Sequence, residues 1–231
     1  MYKRQAYSAI AGRMLDADVV TTCWSGKGVE RNYRERSNDP NRLATMPDLW
    51  RERTIAGKPN APPEAPAEQA ATVGVAWDFT TEPEPQVVLI NLGTNDFTRD
   101  VLKNNEGNAY DGDNGDNVPD GDIDLVKFRD TYLAFVRDVR AKRPNAHIFL
   151  ALPPMVTDQY PIDDARSNLY GVLLYVAAEL ERAGDTKVYA MTLVEQGTRY
   201  GLGCDYHPNE RVHEIMAEQV AGAIRSKTCW D

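Results

Sequence analysis

The distribution of apolar residues along the chain predicts alternating strands and helices. Short runs rich in apolar and β-branched residues predict four strands, at residues 18–24, 87–92, 147–152 and 187–193. Longer stretches with apolar residues three or four positions apart predict four helices, at residues 6–15, 122–142, 164–183 and 209–226. This alternation favours parallel βαβ units with right-handed crossovers, and therefore an α/β fold.

Two stretches differ from the rest. Residues 87–92 (VVLINL) are almost all apolar, which is typical of a strand buried on both faces of a parallel sheet. Residues 34–74 are polar and rich in proline and alanine, so we expect a long surface excursion with little regular structure. In open sheets of this kind, ligands bind outside the carboxyl ends of the strands, so functional motifs are expected there.

Composition narrows the classes of partner. The chain has 231 residues, enough for one α/β domain, and 26 basic against 35 acidic residues give a formal net charge of −9. This charge argues against nucleic acid, which needs a basic surface to neutralise phosphate, and against a polybasic membrane-binding surface. No apolar run in the sequence approaches the ~20 residues of a membrane-spanning helix. We therefore expect neither nucleic acid nor a membrane as a partner.

The three cysteines are too few for a disulfide scaffold. Cys23 lies in the first predicted strand, so we expect it to be a small residue of the core. Cys204 and Cys229 either pair with each other, if the protein is exported, or remain free thiols.

Two glycine-containing motifs directly follow predicted strands. The tetrapeptide GTND (residues 93–96) follows VVLINL, and there the amide of Asn95 can donate to a developing oxyanion while Asp96 bonds backbone N–H groups. Gly26 follows the first predicted strand, and a glycine there lets its backbone N–H approach a ligand as a second oxyanion donor. The alternative for each motif is a plain turn.

His207 is the candidate general base. It follows the last predicted strand and precedes the last predicted helix, so it belongs to the same edge of the sheet as the GTND motif. Asp205, two residues earlier, can orient the imidazole ring. His147 begins a strand with no acid nearby, and His213 lies inside the last helix beside apolar residues, as packed histidines do. The alternative role for His207 is at the start of that helix.

Four segments carry a resemblance to a known family: TTCWSGKGVERNY (21–33), TMPDLWRERT (45–54), WDFTTEPEPQVVLINLGTNDF (77–97) and GCDYHPNERVHEIMA (203–217). In this order and spacing, the chain resembles SGNH/GDSL hydrolases and, within them, carbohydrate esterase family 2. The resemblance implies a flavodoxin-like three-layer α/β/α fold. It also implies a secreted or periplasmic esterase that removes acetyl groups from plant cell-wall polysaccharides of the xylan or mannan type, through an acyl-enzyme and without a cofactor.

The resemblance assigns roles to individual residues by motif position. Gly26 and Asn95 resemble the oxyanion-hole residues of the family. His207 resembles its catalytic base, and Asp205 the partner of that base. Tyr206 occupies a position where the family often has tryptophan, which implies a role in lining the acyl or sugar site. Some members orient the histidine with a backbone carbonyl instead, and this alternative stays open here.

The family's nucleophile lies in a Gly-Asp-Ser motif at the end of its first strand, and the 231 residues contain no such motif. The five serines lie elsewhere, at Ser8, Ser25, Ser37, Ser167 and Ser226. We therefore expect residues 6–231 to be a hydrolase domain that lacks its first strand and is inactive and poorly stable alone. Residues 1–5 (MYKRQ) are expected to be a non-native start, because GTG TAT AAG AGA CAG, which contains the end of a common sequencing-library adapter, encodes this peptide when GTG initiates translation.

An acidic stretch from Asp111 to Asp124 (DGDNGDNVPDGDID) resembles calcium-binding repeats, because closely spaced oxygen ligands separated by glycine suit that ion. It lacks the glutamate that an EF-hand loop has at its twelfth position. The two interpretations are a structural calcium site and a solvated acidic insertion, and neither gives a metal a catalytic role.

Two other functions stay open on the sequence. Gly26, Asn95 and His207 are shared with other SGNH esterases, lipases, thioesterases and acyltransferases, and only TMPDLW, DYHP and the long excursion favour the carbohydrate family. The other alternative is a non-catalytic carbohydrate- or calcium-binding module, which requires no acid–base pair at the ligand-binding edge.

Overall fold

The computed structural model describes residues 5–33, 44–52, 76–98, 102–103, 109–110, 123–161, 164–197 and 199–230. These residues form two compact units. The first unit comprises the described residues of 1–21, 85–92 and 145–231, and the second comprises those of 22–84 and 93–144.

Helices and strands occur in both units. The helices are α1 Tyr7–Met14, α2 Met46–Glu52, α3 Leu125–Lys142, α4 Ala165–Arg182 and α5 Glu210–Thr228. The strands are β1 Val87–Ile90, β2 Leu102–Lys103, β3 Ala109–Tyr110, β4 His147–Leu152 and β5 Val188–Thr192, with two 3₁₀ turns at Phe79–Thr81 and Cys204–Tyr206. None of the helices in the described part of the chain has the length and apolar character needed to cross a membrane.

A three-stranded parallel sheet forms the centre of the first unit. Its strand order is β1-β4-β5, with Val87 opposite His147 and Ile148 opposite Val188. The central strand β4 is buried at every position except His147, because its apolar sequence HIFLAL suits burial on both faces of a sheet. The predicted α/β class with a parallel sheet is confirmed.

Helices α1 and α5 cover one face of this sheet. Phe149 and Ala151 of β4 pack in one buried cluster with apolar residues of the two helices and their ends: Ala11, Leu15, Val212, Met216, Ala217, Val220, Ala221 and Ile224. The α5 members recur at intervals of three or four residues, so they lie on one side of the helix. Helix α4 contacts β4 and β5, and none of its residues, all of which are described, belongs to this cluster. Since side chains alternate between the faces of a strand, α4 packs on the opposite face.

Aromatic side chains form much of the core of the second unit. Phe97 meets Phe128 of α3 edge to face, with ring centroids 5.4 Å apart. Trp50 of α2 meets Phe135 of α3 in the same way, at 5.8 Å. Such pairs add about 0.5–1.5 kcal/mol beyond the burial of their area. The GTND turn and α2 are therefore both packed against α3, whose first turn is capped by the carboxylate of Asp124.

The predicted strand at residues 18–24 is wrong. This segment pairs with no strand among the described residues, and the side chains of Val20 and Trp24 are exposed. Strand propensity mainly reflects how a side chain packs on a half-buried sheet, so a β-branched run without a neighbouring strand does not form one. For the same reason the expectation for Cys23 is wrong: it is an exposed free thiol, as are Cys204 and Cys229.

Two further expectations need correction. The excursion at 34–74 contains a regular element, α2, because Met46, Leu49 and Trp50 recur at helical spacing and are buried. The excursion otherwise lies largely outside the described residues. Strand β1 is buried only at Ile90, since among the described strands it has a neighbour on one side only.

Candidate active site

His207 follows a short turn with an unusual backbone. Within Cys204–Tyr206, Asp205 and Tyr206 have positive φ angles of 51° and 58°. Residues other than glycine, asparagine and aspartate rarely adopt this left-handed region. The turn is closed by the N–H of Gly203, which donates to the carbonyl of His207 at 2.7 Å. A tyrosine in this conformation needs such surrounding contacts to keep it there.

A backbone carbonyl orients the ring of His207. The Nδ1 atom lies 2.7 Å from the carbonyl oxygen of Asp205. Because a carbonyl oxygen only accepts hydrogen bonds, Nδ1 of the neutral ring carries the proton and Nε2 keeps a lone pair. The structure thus brings His207 and Asp205 together through the main chain of Asp205. His207 is exposed, so Nε2 is accessible to a proton donor.

The two predicted oxyanion donors lie in neighbouring loops of the second unit. Gly26 has a φ angle of +79°, which a residue with a side chain would adopt only with strain. Its carbonyl accepts the N–H of Tyr33 at 2.7 Å. Asn95 donates from Nδ2 to the carbonyl of Lys27 at 2.9 Å. The amide of Asn95 therefore lies next to the residue that follows Gly26, and its second N–H has no acceptor among the residues that the structure describes.

Asp96 connects the same two loops. Its buried carboxylate accepts the backbone N–H groups of Val29, Glu30 and Arg31, with a shortest distance to each of 2.9, 2.7 and 3.1 Å. Arg31 donates in return from Nε to the carbonyl of Asp96 at 2.7 Å. Burial raises the pKa of Asp96 to about 7, although the three N–H bonds favour the carboxylate. A Cβ atom at Gly28 would collide with this carboxyl group, so glycine permits the close approach.

Comparison with known proteins identifies the family that carries these motifs. The sequence matches the GDSL-like lipase/acylhydrolase family over residues 4–215. The chain belongs to this family. The match includes the loops of Gly26 and Asn95 and the turn that holds His207.

The chain is also similar to individual esterases. The chain is 31% identical over 225 residues to the cellulase/esterase CelE of Acetivibrio thermocellus, covering 97% of this chain and 22% of that protein. It is 22% identical over 233 residues to an acetylxylan esterase/glucomannan deacetylase of Cellvibrio japonicus, covering 98% of this chain and 49% of that protein.

Solved structures extend the comparison to the fold. A family two carbohydrate esterase from Clostridium thermocellum in complex with cellohexaose has a TM-score of 0.72 and 28% identity, covering 99% of this chain and 55% of that chain. The resemblance to carbohydrate esterase family 2 is thereby confirmed. The chain spans about a fifth to about a half of the length of these relatives.

The other histidines of this GDSL-like chain make contacts within the first unit. His213 accepts the N–H of Tyr7 on Nδ1 at 3.2 Å, and burial lowers the pKa of His213. His147 places Nδ1 3.1 Å from the hydroxyl of Tyr189, at the start of β4. Both rings therefore have partners in the packing of the unit, as the sequence led us to expect for His213.

None of the serines that the structure describes follows a Gly-Asp pair, as the family's nucleophile does. Ser8 is part of α1, and Ser25 precedes Gly26 in its turn. The hydroxyl of Ser167 donates to Asp158 at 2.8 Å, at the start of α4. Ser37 lies outside the described residues.

The sequence did not identify Gln196, which contacts the His207 turn, or Arg166, which connects the loops after β4 and β5. Gln196, after β5, donates from Nε2 to the carbonyl of Tyr206 at 2.7 Å. Arg166, in the first turn of α4, donates to backbone carbonyls in the loops after β4 and β5. Neither residue belongs to a recognisable motif, and the only signal is that both lie at the carboxyl edge of the sheet.

The predicted calcium site cannot be placed. The stretch that begins at Asp111 lies outside the described residues as far as residue 122. Within the part of the chain that the structure describes, no group of three or more His, Cys, Asp or Glu side chains is arranged to hold a metal ion. The calcium site therefore stays a prediction.

Proposed function

We propose that this protein is an exported serine esterase that removes acetyl groups from plant cell-wall polysaccharides of the xylan or mannan type. The observation that supports this most strongly is the geometry of His207. With Nδ1 bonded to a carbonyl, the exposed Nε2 has the lone pair that a general base needs.

The proposed reaction is acyl transfer in two steps. A serine hydroxyl gives its proton to Nε2 of His207 while its oxygen attacks the acetyl carbonyl carbon. The N–H of Gly26 and the free amide N–H of Asn95 donate to the oxyanion that forms on the carbonyl oxygen. His207 then passes the proton to the departing sugar oxygen, and water repeats the sequence to release acetate. No step requires a metal ion.

The nucleophile is proposed to be the serine of a Gly-Asp-Ser segment that is not among these 231 residues. Within the described residues, the hydroxyl of Ser167 is bonded to Asp158 and that of Ser226 to the carbonyl of Ala223. Ser25 directly precedes Gly26, and the proposal does not assign it the nucleophilic role.

The polysaccharide substrate is supported by the relatives and by one side chain. The relatives include an acetylxylan esterase/glucomannan deacetylase and an esterase solved with cellohexaose. Tyr206, next to the proposed base, is 75% exposed. An aromatic ring held in solvent by a left-handed backbone suits contact with a sugar, and we assign Tyr206 to substrate binding.

The test is an activity panel on the full-length protein. We expect acetate release from acetylated xylan and glucomannan, with much lower rates on esters of longer acyl chains. His207→Ala should lower kcat about 10²–10⁴-fold, and Asn95→Ala about 10²–10³-fold. His147→Gln is the control, since it removes a histidine of the same unit at the opposite end of β4, and should leave kcat unchanged.

Other results would favour the alternatives. A preference for long-chain esters or thioesters would indicate a lipase or thioesterase, and polysaccharide binding without turnover would indicate a binding module. The 231-residue chain assayed alone is expected to release no acetate, and measurable release would contradict the proposal for the nucleophile.

A further inference from the structure

Gln196 contacts the turn that carries the proposed base. Its side-chain Nε2 donates to the carbonyl of Tyr206 at 2.7 Å, and its own backbone N–H donates to the carbonyl of Pro154 at 3.0 Å. Its Oε1 is buried and has no hydrogen-bond partner among the described residues. Leaving a buried amide oxygen without a hydrogen bond costs free energy, so the hydrogen bond from Nε2 to Tyr206 is the contact that favours this position of the side chain.

The backbone around Gln196 is itself fixed by Arg166. The Nη1 atom of Arg166 donates to the carbonyls of Pro153 and Val156 at 3.1 and 3.0 Å, in the loop after β4. Its Nη2 atom donates to the carbonyl of Leu193 at 2.9 Å, in the segment after β5. A guanidinium group presents its donors in a rigid plane, so these three bonds set the spacing of the two loops. The backbone of the loop that carries Gln196 is therefore held in place when its side chain bonds the carbonyl of Tyr206.

The contact falls where the turn is under strain. Asp205 and Tyr206 both have left-handed backbones, and such residues persist only when surrounding contacts determine them. The carbonyl of Tyr206 belongs to the peptide group that leads into His207. Holding this carbonyl fixes the orientation of that peptide, and with it the position of the His207 ring relative to the carbonyl of Asp205.

We propose that Gln196 is a positioning residue that keeps His207 bonded to the carbonyl of Asp205, and thereby keeps Nε2 unprotonated and ready to accept a proton. The proposal rests on the esterase function proposed above. Without the Gln196 amide, Tyr206 can relax to a negative φ angle and turn the carbonyl of Asp205 away from Nδ1. The tautomer with its proton on Nε2 then becomes populated, and this tautomer cannot act as the base.

The experiment compares Gln196→Met with Gln219→Met in the full-length protein. Methionine keeps the length and volume of glutamine but donates no hydrogen bond. Gln219 is the matched control, because its Oε1 accepts the N–H of Val194 at 2.8 Å, beside the same loop and without a bond to the His207 turn. Nitrogen NMR of labelled histidine reports the ring tautomer of His207, and steady-state kinetics separate kcat from KM.

We expect Gln196→Met to show a mixed tautomer and, on a small acetyl ester that carries no sugar for Tyr206 to contact, a kcat lowered about 5- to 10-fold with KM unchanged, as for the loss of one hydrogen bond. Gln219→Met should retain the Nδ1–H tautomer and the wild-type kcat. An unchanged His207 tautomer in Gln196→Met, or equal losses in the two variants, would overturn the proposal. If Gln196→Met does not fold, Gln196→Glu keeps the shape and removes the donor above the pKa of the new carboxyl, with the same readings.

Failure of the proposed function gives a different result. A wild-type protein that hydrolyses none of the esters would refute the esterase, while the NMR comparison would still show whether Gln196 controls the tautomer of His207.

Discussion

At the scale of single residues, His207 depends on main-chain geometry. The carbonyl of Asp205 accepts from Nδ1 at 2.7 Å, in a turn where Asp205 has a left-handed backbone with φ 51° and ψ 44°. In serine hydrolases with a Ser-His-Asp triad, a buried carboxylate accepts the hydrogen bond from Nδ1, orients the ring and stabilises the imidazolium. Asp205 is exposed, so water and salt screen its carboxylate. We therefore expect its backbone carbonyl, and not its carboxylate, to orient the ring of His207.

Replacing the carboxylate of Asp205 separates these two roles. Asp205→Asn removes the charge but keeps a residue that tolerates positive φ, so kcat/KM on acetylated xylan should change by about twofold or less. Asp205→Ala also removes the charge, but alanine is strained at a positive φ angle, so kcat/KM should fall further in Asp205→Ala than in Asp205→Asn. A carboxylate that orients the base would instead cost about 10⁴-fold in Asp205→Asn, as in the protease triad. Such a loss in the kinetic assay would contradict the role of the carbonyl.

Part of this site follows from the sequence, and part does not. Gly26 and Asn95 closely follow predicted strands, and His207 lies in the loop between the last predicted strand and the last predicted helix, so the sequence is enough to nominate them as candidates. The carbonyl of Asp205 and the amide of Gln196 act through the positive φ angles of the turn, which no residue pattern here specifies. The resemblance left the backbone carbonyl open as an alternative to the carboxylate, but nothing in the sequence pointed to Gln196, whose proposed role rests on backbone geometry.

At the scale of elements, Asp96 holds a loop that has little regular structure of its own. The segment from Val29 to Arg31 directs three consecutive N–H groups at one carboxylate, as in anion-binding backbone nests. The sequence predicted that Asp96 would bond backbone N–H groups of a turn. The structure shows that the donors come from the other loop, about 65 residues earlier, a pairing that only the fold determines.

The raised pKa of Asp96 makes this loop sensitive to pH. In the unfolded chain the carboxyl titrates near its ordinary pKa of 3.8, and in the folded protein near 7. Between these values the folded state binds more protons, so the free energy of unfolding falls as pH rises and levels off above about pH 7. A shift of about three units corresponds to at most about 4 kcal/mol.

Hydrogen exchange can measure this dependence. The amides of Val29, Glu30 and Arg31 should lose protection, corrected for intrinsic rates, as pH rises from about 5 to about 7, and amides in the middle of α4 should not. Asp96→Asn should abolish this pH dependence and lower the protection of the three amides at every pH, because the NH₂ group of asparagine would face N–H donors instead of accepting from them. Protection that increases over this pH range would show that the pKa of Asp96 is lowered in the fold.

At the scale of the whole molecule, two apolar segments with strand-like sequences are less buried in the described chain than their sequences predict. Val20 is 79% exposed in the segment at 18–24. In the sheet, β1 has a described neighbour on one side only. Strand β4 and helix α5 match their predicted bounds within two residues, because β4 has a strand on each side and α5 packs its apolar side into the core of the first unit. The segment at 18–24 forms no strand, and β1 is less buried than predicted, because a strand pattern needs neighbouring strands on both sides to be buried.

Unpaired strand edges and exposed β-branched residues favour association between copies. We expect the 231-residue chain to self-associate in a concentration-dependent way in size-exclusion chromatography with light scattering. Val20→Lys should weaken this association about tenfold or more, since burying a valine contributes about 1.5 kcal/mol or more. Val126→Lys is the matched control, because Val126 is a valine that is also exposed, at 59%, but lies in helix α3 and not in the segment at 18–24. A monomeric wild-type chain, or equal effects of the two lysines, would show that the segment at 18–24 is not the associating surface.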